Sequence, residues 1–449
     1  MSYSHYGIII KALNKIIIGG INMVQVIAST QTKEIDVVCI GAINFDYIFS
    51  NQKFEFSKKR RTIDDGEESF VDTRTFNDLL TETKKHVKDY YVSIGGSALL
   101  TLKAVKEMCS SLKTAYVGVY GEIPPDSGKK ISIHTINDLK KEFKKFIDDD
   151  TWLFYEKHST SGRAVVNQFK KRREFIKIDP GVNHKLYSCI NQIGDDEFIA
   201  FLSSVKWIHI TSLPNIGDFL KICGLIGEAK KINRQLKVSI DPGYEYTKSH
   251  WTELKEVLNV ADFVFLSKIE YDNVCQNLRI NEHNKINRVG TELRAGNSNA
   301  QVIIIKEQSK TMLISLVGDE NYKRTYYHKK LPSFSIMNDT GAGDVFAGGF
   351  IAGMLMPAML SYQPAPINLG ATAAREKLKA EKWPEHLKDI TYDFYEKNMK
   401  NESRNIKQRA KMFLKNPIIS MFLGAIVGKF LDDLIDVIKF CFLWLSGNV

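Results

Sequence analysis

Short apolar runs recur along the chain from residue 36 onward: DVVCIG, TAYVGVYG, KWIHITS, LKVSID, ADFVFLS and QVIIIKE. Each is nearly continuous rather than alternating, which is how strands covered on both faces read. Between them lie stretches with helical spacing, such as ALLTLKAVKEM and IGDFLKICGLIGEAKKI. The alternation predicts an α/β domain with a mostly parallel central sheet flanked by helices, spanning 35–380. Two pieces break the alternation. Residues 51–90 form a charged insertion after the first strand, and GRAVVNQFKKRREFIKID predicts a β-hairpin that turns at KKRR. Both suit a small β lid. Near the end of the domain, SFSIM is expected to form a strand ending near Met337, with a helix starting near Gly341.

The two ends of the chain read differently from this domain. Residues 1–34 form an N-terminal extension whose apolar runs are broken by Lys11 and Lys15, unlike the unbroken apolar core of a secretory signal. Residues 381–416 read as a charged helical linker and 417–449 as an amphipathic, apolar helical tail. In the tail, Lys429, Asp432, Asp433, Asp436 and Lys439 fall at helical spacing and make a narrow polar stripe. That is too interrupted for a standard span of about 20 apolar residues. It suits a membrane surface or a partner helix, with packing back onto the α/β domain as the alternative.

Composition narrows the classes without choosing among them. At 449 residues the chain exceeds what one hydrophobic core usually serves, and 44% apolar with 25% charged residues is ordinary for a folded chain. The net charge of +10 is spread among acids in short clusters such as KKRR at 58–61 and 170–173, so no nucleic-acid partner is expected. Six cysteines lie far apart without a CxxC pair. Neither a zinc site nor a disulfide framework is indicated, and a cytoplasmic location is expected.

The chemistry concentrates in NDTGAGDVFAGGF, residues 338–350. If the helix begins near Gly341, then Ala342, Gly343 and Asp344 lie in its first turn, where backbone N–H groups have no intrahelical partners and would face an anion. The two glycines remove Cβ atoms that would hold a phosphate away, and the helix dipole adds positive charge. Asp344, kept ionised by the same dipole, can accept a proton from a substrate hydroxyl, as in-line phosphoryl transfer needs. The plainer alternative is a glycine-rich turn with Asp344 as a helix cap. In GAINFD, Asn44 and Asp46 are two apart and share a face if the chain stays extended, an amide and carboxylate suited to vicinal hydroxyls. Turn formation is their alternative role. Gly95 and Gly96 open the next helix, as a site of close approach or as a plain turn.

These residues together resemble the PfkB carbohydrate kinase family, with the ribokinase-like fold of ribokinases, adenosine kinases and fructokinases. GAGD followed by VFAGGFIAG is similar to the family's C-terminal signature, GAINFD to its substrate turn, VSIGGSA to its diglycine motif, and STSGRAVV with GVN at 181–183 to its lid and following loop. The resemblance implies Asp344 as catalytic base, Gly341, Ala342 and Gly343 as an anion hole, and Asn44, Asp46, Gly95 and Gly96 as substrate contacts. It further implies nucleotide contacts at Asn183, Ser267 and Thr340, Glu270 in the metal and phosphate motif, and ATP with Mg²⁺ as cofactors. The partners expected are a small sugar or nucleoside acceptor and a nucleotide, with a homodimer left open. The chain departs from the pattern at Asp339, where a Thr or Ser is common, and at three further places: Leu100 and Ser267 stand where the family has Asn, and KEQSK at 306–310 replaces a glycine-bearing turn. These three favour a second reading, a kinase-fold protein with weakened turnover that senses a sugar or nucleotide while tethered through its C-terminal helices.

Overall fold

The computed structural model describes residues 34–50, 67–87, 89–125, 133–169, 172–211, 213–280, 301–307, 310–317, 320–356, 365–384 and 386–391. The chain divides between Lys388 and Asp389, and the fold described is that of the first unit. Nearly all of the N-terminal extension, and the linker and tail beyond residue 391, lie outside the described residues.

Fourteen described strands form two sheets. The large sheet contains β1 (Val37–Ile40), β5 (Thr114–Glu122), β6 (Leu153–Thr160), β9 (Trp207–Thr211), β10 (Lys237–Asp241), β11 (Phe263–Ser267), β12 (Gln301–Lys306), β13 (Lys310–Val317) and β14 (Glu320–Tyr327). Its order is β14-β13-β12-β11-β10-β9-β1-β5-β6. The pairs from β6 through β12 are parallel, and β13 and β14 close the other edge antiparallel. All six apolar runs read from the sequence lie in this sheet. The four β1 residues are all buried, as expected of a strand covered on both faces. One packed layer includes Ile208, Val238, Ile303 and the helix residues Phe219 and Ile226. On the opposite face Trp207, Phe265, Phe346 and Phe350 meet.

The smaller sheet has β2 (Asn44–Ser50), β3 (Glu67–Phe70), β4 (Tyr90–Gly95), β7 (Gly162–Phe169) and β8 (Arg172–Asp179), in the order β3-β8-β7-β2-β4. The hairpin read from GRAVVNQFKKRREFIKID is β7 and β8, antiparallel, with a register shift between Asn167 and Gln168. Part of the charged 51–90 insertion joins the same sheet through β3, which runs parallel to β8. The insertion also carries the helix Thr73–His86, capped by Asp72 through the backbone N–H of Thr75.

One expectation fails. SFSIM is not a strand: Ser333–Ser335 is a single 3₁₀ turn entered from Pro332. The serine N–H and hydroxyl of Ser335 both donate to the Pro332 carbonyl, closing the turn locally instead of pairing with a neighbour. Together these elements form a ribokinase-like α/β fold.

Candidate active site

Three strands of the large sheet end side by side in polar residues. β10 ends in Asp241, β11 in Ser267 and β12 in Lys306, and Ser267 is in register with Lys306. Carboxyl ends of parallel strands are where open α/β sheets form ligand crevices. Lys306 Nζ donates to Asp241 Oδ2 at 2.7 Å. Burial lowers the affinity of Lys306 for its proton, but the charges of Asp241, Glu270 and Asp344 outweigh it, so its pKa is raised. This lysine therefore stays an ammonium.

The helix Ala342–Leu355 opens onto the same crevice. Its N-cap, Gly341, has φ +79°, a left-handed conformation that favours glycine. A Cβ added to Gly343 would stand 3.4 Å from Lys306 Nζ, so the ammonium lies beside the helix's first turn. That proximity changes the meaning of KEQSK: where the sequence suggested an altered strand end, the structure sets a half-buried cation beside the predicted anion hole. Sequence reasoning missed Lys306 because it counted the lost glycine turn and not the charge put in its place. Asp241 was missed as well, since SID reads only as the end of a strand.

Asp344 lies in that first turn and accepts a hydrogen bond from Ser97. Its expected ionisation by the helix dipole needs correction. Burial, reinforced by the Asp241 charge and opposed by Lys306, raises its pKa to about 7. Desolvation outweighs the dipole here. A carboxyl poised near neutrality is well matched to general-base work.

The substrate-turn residues come to the same region from the smaller sheet. Asn44 and Asp46 begin β2, where extended backbone puts them on one face, and both are buried. Asn44 pairs across the ladder with Gly95. The Asp46 carboxylate covers Gly95, where an added Cβ would lie 1.8 Å from Oδ2. Gly96 follows at φ +111°, and a Cβ there would lie 2.0 Å from the Ala42 carbonyl oxygen. The diglycine is thus required by close approach and by conformation. Burial first, then the charges of Asp344 and Glu68, pushes Asp46 up to about 8. Asp46 and Asp344 therefore share one electrostatic environment.

The remaining predicted residues are positioned as follows. Asn183, expected at the nucleotide, has its amide engaged in the GAINFD turn. Its Oδ1 accepts from Ile43 N, and its Nδ2 donates to Ile43 O and to Asn44 Oδ1. Thr340 also makes contacts within the protein. Its hydroxyl accepts from Gln168 Nε2 of the hairpin at 2.9 Å, and its N–H donates to Asn338 Oδ1. Ser267 caps the helix Lys268–Asn277, accepting from Glu270 N, while the Ser267 N–H donates to Glu270 Oε2. Glu270 is raised to about 7, chiefly by burial and by Asp241, with Lys306 opposing. Leu100 lies against the helix opening, its Cδ1 3.3 Å from a Cβ built on Gly341. Among the described residues no group of three or more His, Cys, Asp or Glu is arranged to hold a metal.

The profile of the pfkB family carbohydrate kinases matches residues 144–364, a span that contains Asp241, Ser267, Glu270, Lys306 and the GAGD turn. That span is just under half of the chain. Solved structures share its fold at low identity. An adenosine kinase from Schistosoma mansoni in complex with 2-fluoroadenosine aligns with TM-score 0.60 and 16% identity, over 77% of this chain and 95% of that one. An adenosine kinase from Anopheles gambiae in complex with P1,P4-di(adenosine-5) tetraphosphate aligns with TM-score 0.61 and 15% identity, over 76% and 95%. Ribokinase from Giardia lamblia gives 0.59 and 14%, over 80% and 99%. No curated protein sequence matches the chain. The five cysteines among the described residues are free, and no described helix is long and apolar enough to cross a membrane.

Proposed function

We propose that the protein is an ATP-dependent phosphotransferase acting on a hydroxyl of a sugar or nucleoside. The observation that carries this reading is Asp344, raised to about 7, in the first turn of a helix whose opening is flanked by the Lys306 ammonium. The backbone N–H groups of the GAGD turn and the ammonium hold the transferring phosphoryl group, where preorganised donors act without reorganisation. Asp344 takes the proton of the acceptor hydroxyl as the oxygen attacks phosphorus in line, and the nucleoside diphosphate leaves. Asp46 and Asn44, fixed on β2, accept and donate hydrogen bonds to neighbouring acceptor hydroxyls. Asn183 and Thr340 act indirectly, by holding the GAINFD and GAGD turns.

A triphosphate suits this constellation, because the backbone of Gly341 and Gly343 carries no side chain that would stand over it. Mg²⁺ suits it in a limited way. No described cluster would cage the ion alone, which agrees with an ion that keeps several waters and takes phosphate oxygens. Glu270 and Asp241 are the carboxylates that would reach its waters, and the ion would neutralise phosphate charge. The apolar Leu100 beside Gly341 favours an acceptor with an apolar edge over one with hydroxyls all round.

The test is a thermal-shift panel of sugars and nucleosides, with and without ATP and Mg²⁺, followed by ATP consumption with each hit. A ligand present at a hundred times its Kd stabilises by about 2.7 kcal/mol. Turnover with at least one acceptor is expected. Binding of nucleotide without turnover of any acceptor would favour the sensor reading.

A further inference from the structure

The Proposed function leaves one buried cation without a task. Lys377 lies near the end of the helix Ala365–Lys379 and is only 4% exposed. Its Nζ has no hydrogen-bond partner among the described residues. Its Cε is 3.9 Å from the place a Cβ would take on Gly341, so the side chain reaches the opening of the Ala342–Leu355 helix. The approach is fixed from both ends. Close contacts lock the two helices together, with an added Cβ on Gly349 only 2.8 Å from Gly370 Cα and one on Gly353 only 2.8 Å from Pro366 Cα. Past Lys377, Met337 N donates to Leu378 O at 2.7 Å, anchoring the helix end to the loop that leads into GAGD.

A buried ammonium with all its donors idle is costly, and such groups are normally paired. Burial lowers the pKa of Lys377 to about 8, opposed in part by the charges of Asp339 and Asp344. Neither gives it a hydrogen bond. The unpaired group therefore points to a ligand that is anionic and located at the helix opening, where the dipole also favours negative charge. Lys306 approaches the same opening at Gly343, and Lys377 approaches it at Gly341.

We infer that Lys377 is a phosphate-binding residue that clasps the terminal phosphoryl group of the nucleoside triphosphate at the GAGD turn, opposite Lys306. This rests on the kinase reading above and adds a specific residue to it. The ammonium distinguishes triphosphate from diphosphate, because only the triphosphate places a phosphoryl group in the hole.

The full-length chain, as wild type, Lys377→Met and Lys377→Gln, is titrated with ATP and with ADP in the presence of Mg²⁺, and each protein is melted without ligand. Loss of a charge-assisted hydrogen bond predicts at least about a tenfold weakening for ATP in both variants. ADP affinity should change by less than a third of that factor. Because Lys377→Met removes an unsatisfied buried charge, its melting temperature without ligand should equal or exceed that of wild type. Equal ATP affinities in wild type and both variants would overturn the inference while leaving the kinase reading standing. Equal loss for ATP and ADP would overturn it too, since the terminal phosphoryl group would then not be what Lys377 binds. If wild type binds neither nucleotide, the kinase reading fails and this inference falls with it.

Discussion

The turn that seats Asn44 and the helix opening that seats Asp344 are built on opposite principles. In the turn, the Asn183 amide meets Ile43 and Asn44 with three hydrogen bonds, and Gly95 and Gly96 let backbone and carboxylate come into contact. Nearby on the hairpin, Arg163 is held by Asp179 and Asn77. At the helix opening, by contrast, acids crowd together: Asp344 and Glu270 are both raised to about 7, and Lys377 has no hydrogen-bond partner among the described residues. A saturated region holds geometry, whereas an unsaturated one holds free energy that a charged ligand can release. On the proposed reading, the acceptor side is held in place before anything binds, and the phosphate side is completed by what binds.

This contrast predicts that removing the turn's close contacts and hydrogen bonds harms folding first, while substitutions of the charged groups act first on function or on its pH dependence. The largest effect is expected for Gly96→Val. A β-branched residue at φ +111° whose Cβ must overlap the Ala42 carbonyl should cost more than about 4 kcal/mol, read as loss of soluble folded protein or a steep drop in denaturant midpoint. Next comes Asn183→Ala, which strands the buried Ile43 N–H and C=O. About 1–3 kcal/mol for each stranded group is expected by urea unfolding, together with a raised KM for the acceptor. Asp46→Ala should cost about 1.5–3 kcal/mol in acceptor kcat/KM and leave ATP affinity unchanged. Unchanged acceptor kinetics would remove GAINFD from the site.

The smallest effect concerns pH and comes from the unsaturated side. Asp344 has a folded pKa raised to about 7 from an ordinary value of 3.8, so the unfolded chain releases this proton first as pH rises. The group therefore stabilises the fold most at low pH, and its contribution declines between about pH 4 and 7. Asp344→Asn lacks that decline. Its melting temperature should gain on wild type as pH is raised from 5 to 7.5, and a constant difference would show that the carboxyl is not held protonated by burial.

Much of this contrast was visible in the residue order, for identifiable reasons. The parallel strands were legible because burial on both faces leaves unbroken apolar runs such as VVCI and QVIII. The GAGD turn was legible because glycines around an acid at a helix start have few other uses. Lys306 and Lys377 were not legible. Lysines are common, and what singles these two out is their position beside Gly343 and Gly341, which depends on strand order and on the packing of helix Ala365–Lys379. β13 and β14 also escaped, because as an antiparallel edge they carry polar residues such as Lys323 and Arg324 among their apolar ones. SFSIM misled in the other direction. Its alternating pattern reads as a strand, but Pro332 and the serine side chains favour a local turn.

The measurement that tests the account most directly is ATP binding and ATP consumption in wild type and Asp344→Asn, side by side with an acceptor that wild type uses. The substitution keeps size and a hydrogen-bond acceptor for Ser97 while removing the ionisable carboxyl. The account predicts that ATP affinity stays within a few fold while turnover falls by about 10²–10⁴, the contribution of a positioned general base. Equal turnover in the two proteins would contradict it and reduce Asp344 to a helix cap.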